Sequence, residues 1–235
     1  NQQYTEPDTV PWASLVAGDV VNIYYRSTPY KWKLGLRGQG TQTNPIVING
    51  VTDANGNRPR FDFNGSRTVS GSAGVWSTTP AYGESLGGIV IKRGPNDDYN
   101  TYLPKWIQIK NLEVYGAENG STYTTVSGAS ASLAGGAGIY IHAGEDILLE
   151  NNVIYNNSFG IFAMAKDGLL TQSTNRLVVR NNRVYNNGIV NSWFEHNAYI
   201  QGASPVVEGN YFGKVRSGSL GSSYKSRASN EIFRN

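Results

Sequence analysis

A chain of 235 residues with 39% hydrophobic side chains can bury one full core and is too apolar to be disordered. With no cysteine it has no disulfides, zinc-thiolate sites or thiol chemistry, and no apolar run approaches the roughly 18 residues of a membrane span. A net charge of +3 leaves acidic polysaccharide and anionic surfaces open as partners, while the lack of a dense Lys/Arg stripe argues against nucleic acid. Only 16% of residues are charged, and polarity rests on Asn, Ser, Thr, Gly and Tyr. With 28 Gly and 15 Tyr, the chain favours strands and turns over helices.

In chain order, Asn1-Gln2-Gln3-Tyr4 reads as a trimmed start. Ala17–Ile23, Asn44–Asn49 and Arg60–Phe63 read as strands of early coils, and Asp53–Asn57 as a turn. Gly88-Ile-Val-Ile-Lys92 opens a recurring unit, repeated as Gly138-Ile-Tyr-Ile-His142, Gly160-Ile-Phe-Ala-Met164 and Asn197-Ala-Tyr-Ile-Gln201. A second unit alternates with it: Trp106–Tyr115, Asp146-Ile-Leu-Leu-Glu-Asn-Asn-Val-Ile-Tyr-Asn156, Arg176-Leu-Val-Val-Arg-Asn-Asn-Arg-Val-Tyr-Asn186 and Ser204-Pro-Val-Val-Glu-Gly-Asn-Tyr-Phe212. Asn152, Asn182 and Asn210 share one column, at spacings of 30 and 28. Segments 64–87 and 116–137, rich in Gly, Ser and Thr, read as long loops leaving the coil surface.

Repeats of this length are too long for hairpins and suit parallel coils, each burying its inward face on the next. The fold class is therefore all-β, a right-handed parallel β-helix with an Asn ladder and long loops. Asn tolerates the left-handed backbone of a sharp corner, and identical amides one coil apart can hydrogen-bond up the stack. Residues 1–235 form one domain, with irregular coils and insertions over 1–87 and regular coils over 88–235. Because the sequence stops inside a further copy of the repeat, the natural protein is expected to continue, leaving a last coil near Ile232 and Phe233 through which this segment self-associates.

Strand parity selects the outward side chains. One column is Val90, Tyr140, Phe162 and Tyr199, and a second is Lys92, His142, Met164 and Gln201. Tyr224-Lys-Ser-Arg-Ala228 falls where the next strand is due and puts Lys225 and Arg227 on the same side. Exposed aromatics there would be a platform for sugar rings, and the basic pair would draw a carboxylated sugar. Cover by an overlying loop such as 116–137 is the alternative for the aromatics, and solvated surface cations the alternative for the pair. His196 has the inward parity of a structural residue. Asp97-Asp98 could offer oxygen ligands to calcium or simply form a turn.

The Asn-bearing repeats with Gly-Ile-x-Ile strands resemble the pectate-lyase-like superfamily of right-handed β-helices, over roughly residues 84–235. Gly40-Thr-Gln-Thr-Asn-Pro-Ile-Val-Ile48 is similar to an early coil of the alginate lyase and chondroitinase B branch, and Glu195–Gly202 to segments of secreted bacterial β-helix proteins. The resemblance implies a secreted, periplasmic or cell-surface protein. It implies a polysaccharide lyase acting on an acidic, uronate-containing glycan, with a Lys base, an assisting Arg and calcium as the possible cofactor. On this sequence the catalytic candidates are Lys225, Arg227 and His142, and the substrate-binding candidates Tyr140, Tyr199, Lys92 and Gln201. A β-helix glycoside hydrolase and a non-catalytic adhesin or assembly scaffold stay open as alternatives.

Overall fold

The computed structural model describes residues 2–76, 83–166 and 169–234. Three sheets wind around one axis. The first has seven parallel strands in the order Val20–Tyr24, Ile46–Val51, Ile107–Lys110, Leu148–Glu150, Val178–Arg180, Val206–Glu208 and Ile232–Arg234. The third has five, from Arg60–Asp62 through Glu113–Tyr115, Val153–Tyr155 and Arg183–Tyr185 to Tyr211–Phe212. In the second sheet Trp32–Leu36, Gly87–Ile91, Ala137–Ile141, Phe159–Ala163, Ala198–Ala203 and Tyr224–Ser229 pair in parallel. Successive coils thus stack in register, as the repeat requires.

Alternation fills the interior with β-branched and aliphatic side chains. Ile48, Ile109, Leu149, Val179 and Val207 face in from the first sheet, Ile89, Ile139, Ile161 and Ala198 from the second, and Phe61, Val114, Ile154 and Val184 from the third. Each such Val, Ile or Leu contributes about 1.5–3 kcal/mol relative to exposure.

Adjacent asparagines divide the work at the corner between the first and third sheets. Asn111, Asn151 and Asn181 carry the positive φ of the turn, at 60°, 54° and 56°, and Gly209 takes the same role at 61°. Asn152, Asn182 and Asn210 are the buried partners. The Asn152 amide donates to Asn182 Oδ1 at 3.0 Å, and Asn182 in turn to Asn210 Oδ1 at 3.0 Å. Two further amide columns lie beside this one. Asn157, Asn187 and Asn197 repeat the pattern at the corner into the second sheet, again with 3.0 Å bonds. Asn22, Asn49, Asn111 and Asn151 form an outer column. The leading glycine of the Gly-Ile-x-Ile unit follows from this geometry. A Cβ on Gly160 would stand 2.8 Å from the Asn187 amide nitrogen and 2.7 Å from Val184 Cγ1.

The N-terminal insertions are more structured than loops. Trp32–Leu36, unread in the sequence, is the first coil's strand of the second sheet. Within 116–137, Thr122–Thr124 and Ser130–Ser132 form an antiparallel hairpin that extends this sheet through Ser66–Thr68. A 3-10 turn, Ser70–Val75, lies over the outside of the sheet, and Val75 and Trp76 form a second apolar cluster there with Ala13, Val90, Ala137 and Tyr140.

Beneath this cover Lys33 is fully buried, its ammonium donating to the Gly87 carbonyl and standing 4.6 Å from the Tyr123 ring centroid. Burial pushes its pKa down to about 7, against the opposing pull of Glu84. Above that value the unfolded chain still holds a proton that the folded chain has released, so stability rises with pH; below it the penalty is complete. From pH 7 to pH 9 stability is expected to rise by about 2 kcal/mol from this group. Denaturant melts of Lys33→Met should lose that rise, and parallel profiles for the variant and the wild type would refute the assignment.

Candidate functional site

The outward face of the second sheet follows the predicted parity. Val90 pairs with Tyr140, Tyr140 with Phe162, Phe162 with Tyr199 and Tyr199 with Lys225. In the neighbouring column Gln201 pairs with Arg227. The face is not one open groove, however, and three expectations need correction.

Tyr140 is only 7% exposed, packed with Val75, Trp76 and Phe162, and its hydroxyl donates to Met164 Sδ at 3.4 Å. It is part of the second apolar cluster and cannot serve as a sugar platform. Lys92 is 6% exposed, and its ammonium donates to the Val75 and Arg93 carbonyls at 2.8 and 2.7 Å. Burial, reinforced by the Arg93 charge, lowers its pKa to about 8. These carbonyl contacts fix it under the 70–76 segment, away from any substrate. His142 sits beside it, with burial first and then Lys92 and Arg93 lowering its pKa to about 4. So weak a base, three strands or about 14 Å along the sheet from Arg227, is separated from the basic pair.

The remaining candidates do come together where the cover ends. The Phe162 and Tyr199 rings stack at 5.2 Å with an interplanar angle of 1°, and Lys225 Nζ lies 5.1 Å from the Tyr199 centroid. A cation held over a ring gains roughly 0.5–1 kcal/mol at an exposed site. Gln201 commits its carbonyl oxygen to the Ala165 N–H at 3.0 Å, which fixes the side chain. Arg227 is exposed. Among the described residues neither Lys225 nor Arg227 has an acidic partner within ion-pairing distance. The first sheet behaves differently: Lys110, Glu150, Arg180, Glu208 and Arg234 alternate in sign up one column, with Arg180–Glu150 at 2.8 Å and Arg234–Glu208 at 2.7 Å.

His196, expected to face inward, instead lies in the turn before Ala198–Ala203 and packs against the outward rings of this end. It is buried, accepts the Ser222 N–H at Nδ1 over 2.8 Å, and meets the Tyr199 ring edge-on at 5.4 Å. Burial and then Lys225 lower its pKa to about 4, so it remains neutral through the physiological range. Trp193 and Phe194, 67% and 74% exposed, stand on the loop leading into Ala198–Ala203. They were missed in the sequence, where only two adjacent aromatics in a polar loop marked them.

The acidic pair offered for calcium does not fit an ion. One Asp97 oxygen accepts from Arg37 Nε at 2.9 Å and from the Gly94 N–H at 2.6 Å, and the other is bound by Arg37 Nη2. Asp98 accepts the Asn100 N–H of its own turn. Among the described residues there is no cluster of three or more His, Asp or Glu side chains suited to a metal. No helix among them is long and apolar enough to cross a membrane.

Parallel sheets with a partly open outer face define a β-helix protein, with an accessible, aromatic and basic stretch on its second sheet. Residues 88–235 match the family model described as "right handed beta helix region", and the chain belongs to that family. This agrees with the pectate-lyase-like β-helix superfamily that the repeats resemble. Among solved structures, an alginate lyase from Paenibacillus sp. str. FPU-7 matches at 13% identity with a TM-score of 0.41, covering 91% of this chain and 69% of that one. A likeness this distant says nothing about activity. No curated protein matches the chain.

Proposed function

We propose that this protein is a polysaccharide lyase that binds a uronate-containing glycan over Phe162, Tyr199, Gln201, Lys225 and Arg227. The observation that carries the reading is the pair Lys225 and Arg227, projecting from one strand beside an aromatic stack with no carboxylate partner among the described residues. The stacked cations of the first sheet are paired with Glu150 and Glu208; here the positive charge is left for a ligand.

In the proposed reaction Lys225 removes the proton α to the uronate carboxylate. The C–H electrons form the ring double bond as the bond to the glycosidic oxygen breaks, and that oxygen takes up a proton. Arg227 stabilises the charge developing on the carboxylate, and Tyr199 holds the ring. Hydrolysis by two facing carboxylates is less favoured, since the Tyr199 and Gln201 columns contain no Asp or Glu and Glu145, one column further along the strands, is ion-paired with Arg176. A glycan substrate also sets the protein at the cell surface, in the periplasm or outside the cell.

Incubation with a panel of uronate polysaccharides should generate the ultraviolet absorbance of an unsaturated sugar. Failure of every member of the panel to be bound or cleaved would leave the scaffold reading in its place. Tyr199→Ala is expected to raise KM about tenfold with a smaller change in kcat, because it removes contact rather than chemistry. A loss confined to kcat would contradict the platform role.

A further inference from the structure

A second cationic site lies at the corner between the first and third sheets. A cavity of about 300 Å³ is lined there by Tyr25, Gly56, Asn57, Arg58, Arg60 and Glu113. Arg58 and Arg60 flank the buried Pro59, and strand alternation sends both side chains outward. Each guanidinium is tied at one point: Arg58 Nη2 donates to Asn151 Oδ1 at 2.8 Å, and Arg60 Nη2 to the Ser27 carbonyl. The Nε of each is buried without an acceptor, and neither residue makes an ion pair among the described residues.

A guanidinium has five N–H donors, so most of the donor capacity on this cavity is uncommitted. Glu113 is the one carboxylate in the lining, and its Oε1 already accepts the Tyr155 hydroxyl at 2.6 Å. The wall formed by residues 53–57 is set by Asp53, whose carboxylate accepts the N–H groups of Asn55 and Asn57 and the Asn57 amide. Asp53 therefore faces its own turn, and two positive groups outweigh one negative in the cavity.

We propose that the Arg58–Arg60 cavity binds an oxyanion, the carboxylate or sulfate ester of a saccharide, at a site separate from the aromatic face of the second sheet. Planar guanidinium forks are suited to both groups, through paired N–H donors and full charge. The inference does not rest on the lyase reading, since it requires neither Lys225 nor any turnover.

Isothermal calorimetry with sodium sulfate and with sodium galacturonate, against sodium chloride at equal ionic strength, tests it on the intact chain. Calorimetry is the suitable readout because sulfate raises melting temperatures by exclusion alone. Saturable binding of at least one probe is expected, weakened about tenfold or more in Arg58→Ala and in Arg60→Ala. A galacturonate component lost in Arg58→Ala and Arg60→Ala, with no such sulfate component, would assign a uronate to this cavity, and the reverse a sulfated sugar. Arg58→Lys and Arg60→Lys keep the charge while losing the fork, and provide the comparison if an alanine variant fails to fold. Binding no stronger than that of chloride, or equal heats in the wild type and all folded variants at these two positions, would overturn the proposal.

Discussion

Lys225→Ala is expected to lower kcat/KM on the cleaved polysaccharide by about a thousandfold, the scale of a lost general base. The fall should be in kcat, with substrate still held by Tyr199 and Arg227. Lys225→Arg separates the two roles that a cation could play on this strand. It keeps the positive charge over the Tyr199 ring but supplies a group that does not give up its proton in proteins. The lysine-to-arginine variant should therefore be as inactive as the alanine variant. Retained turnover in Lys225→Arg would reduce Lys225 to charge neutralisation and move the base elsewhere. Steady-state kinetics on both variants, with circular dichroism to show an intact fold, decide between these outcomes.

Asn182→Leu is expected to cost at least about 3 kcal/mol, since several buried polar groups lose partners at once. The side chain donates to the Leu149 and Arg180 carbonyls at 2.9 and 3.0 Å and to Asn210 Oδ1. Its carbonyl accepts both the backbone N–H and the amide of Asn152 at 2.9 and 3.0 Å. Leucine is similar in size, so the loss isolates the hydrogen bonds from packing. The neighbouring Asn181→Gly should cost little, because Gly209 already fills the same left-handed position one coil later. Denaturant melts showing equal losses at 181 and 182 would contradict the division of work between the paired asparagines.

The repeat made much of this protein legible from its sequence. Apolar alternation in Gly-Ile-x-Ile and Leu-Leu-Glu-Asn-Asn depends only on which face of a strand a residue occupies, and each copy reinforces the others. Parity also put Tyr199, Gln201, Lys225 and Arg227 on one side of the sheet, where the strand register pairs Tyr199 with Lys225 and Gln201 with Arg227. Trp32–Leu36 was harder to read because, although it alternates, it carries neither the leading Gly-Ile nor the paired asparagines that mark the other copies. Gly35 stands there because a Cβ would come 2.6 Å from the Trp76 ring.

Exposure was decided only in three dimensions. Tyr140 and Tyr199 have the same parity and belong to similar repeats, yet one is buried by Val75 and Trp76 and the other borders solvent. The covering residues lie more than sixty positions before Tyr140 in the chain, so no local pattern records their contact. Likewise, Lys92 and Lys225 are equivalent as outward cations in sequence. The fold ties the first to the Val75 and Arg93 carbonyls and leaves the second over an aromatic ring. Sequence by itself determined the coils, their register and the side of the sheet to inspect, because those follow from short-range alternation. Which part of that side is open depended on where a distant insertion folded back, a matter of long-range packing that only the tertiary structure decides.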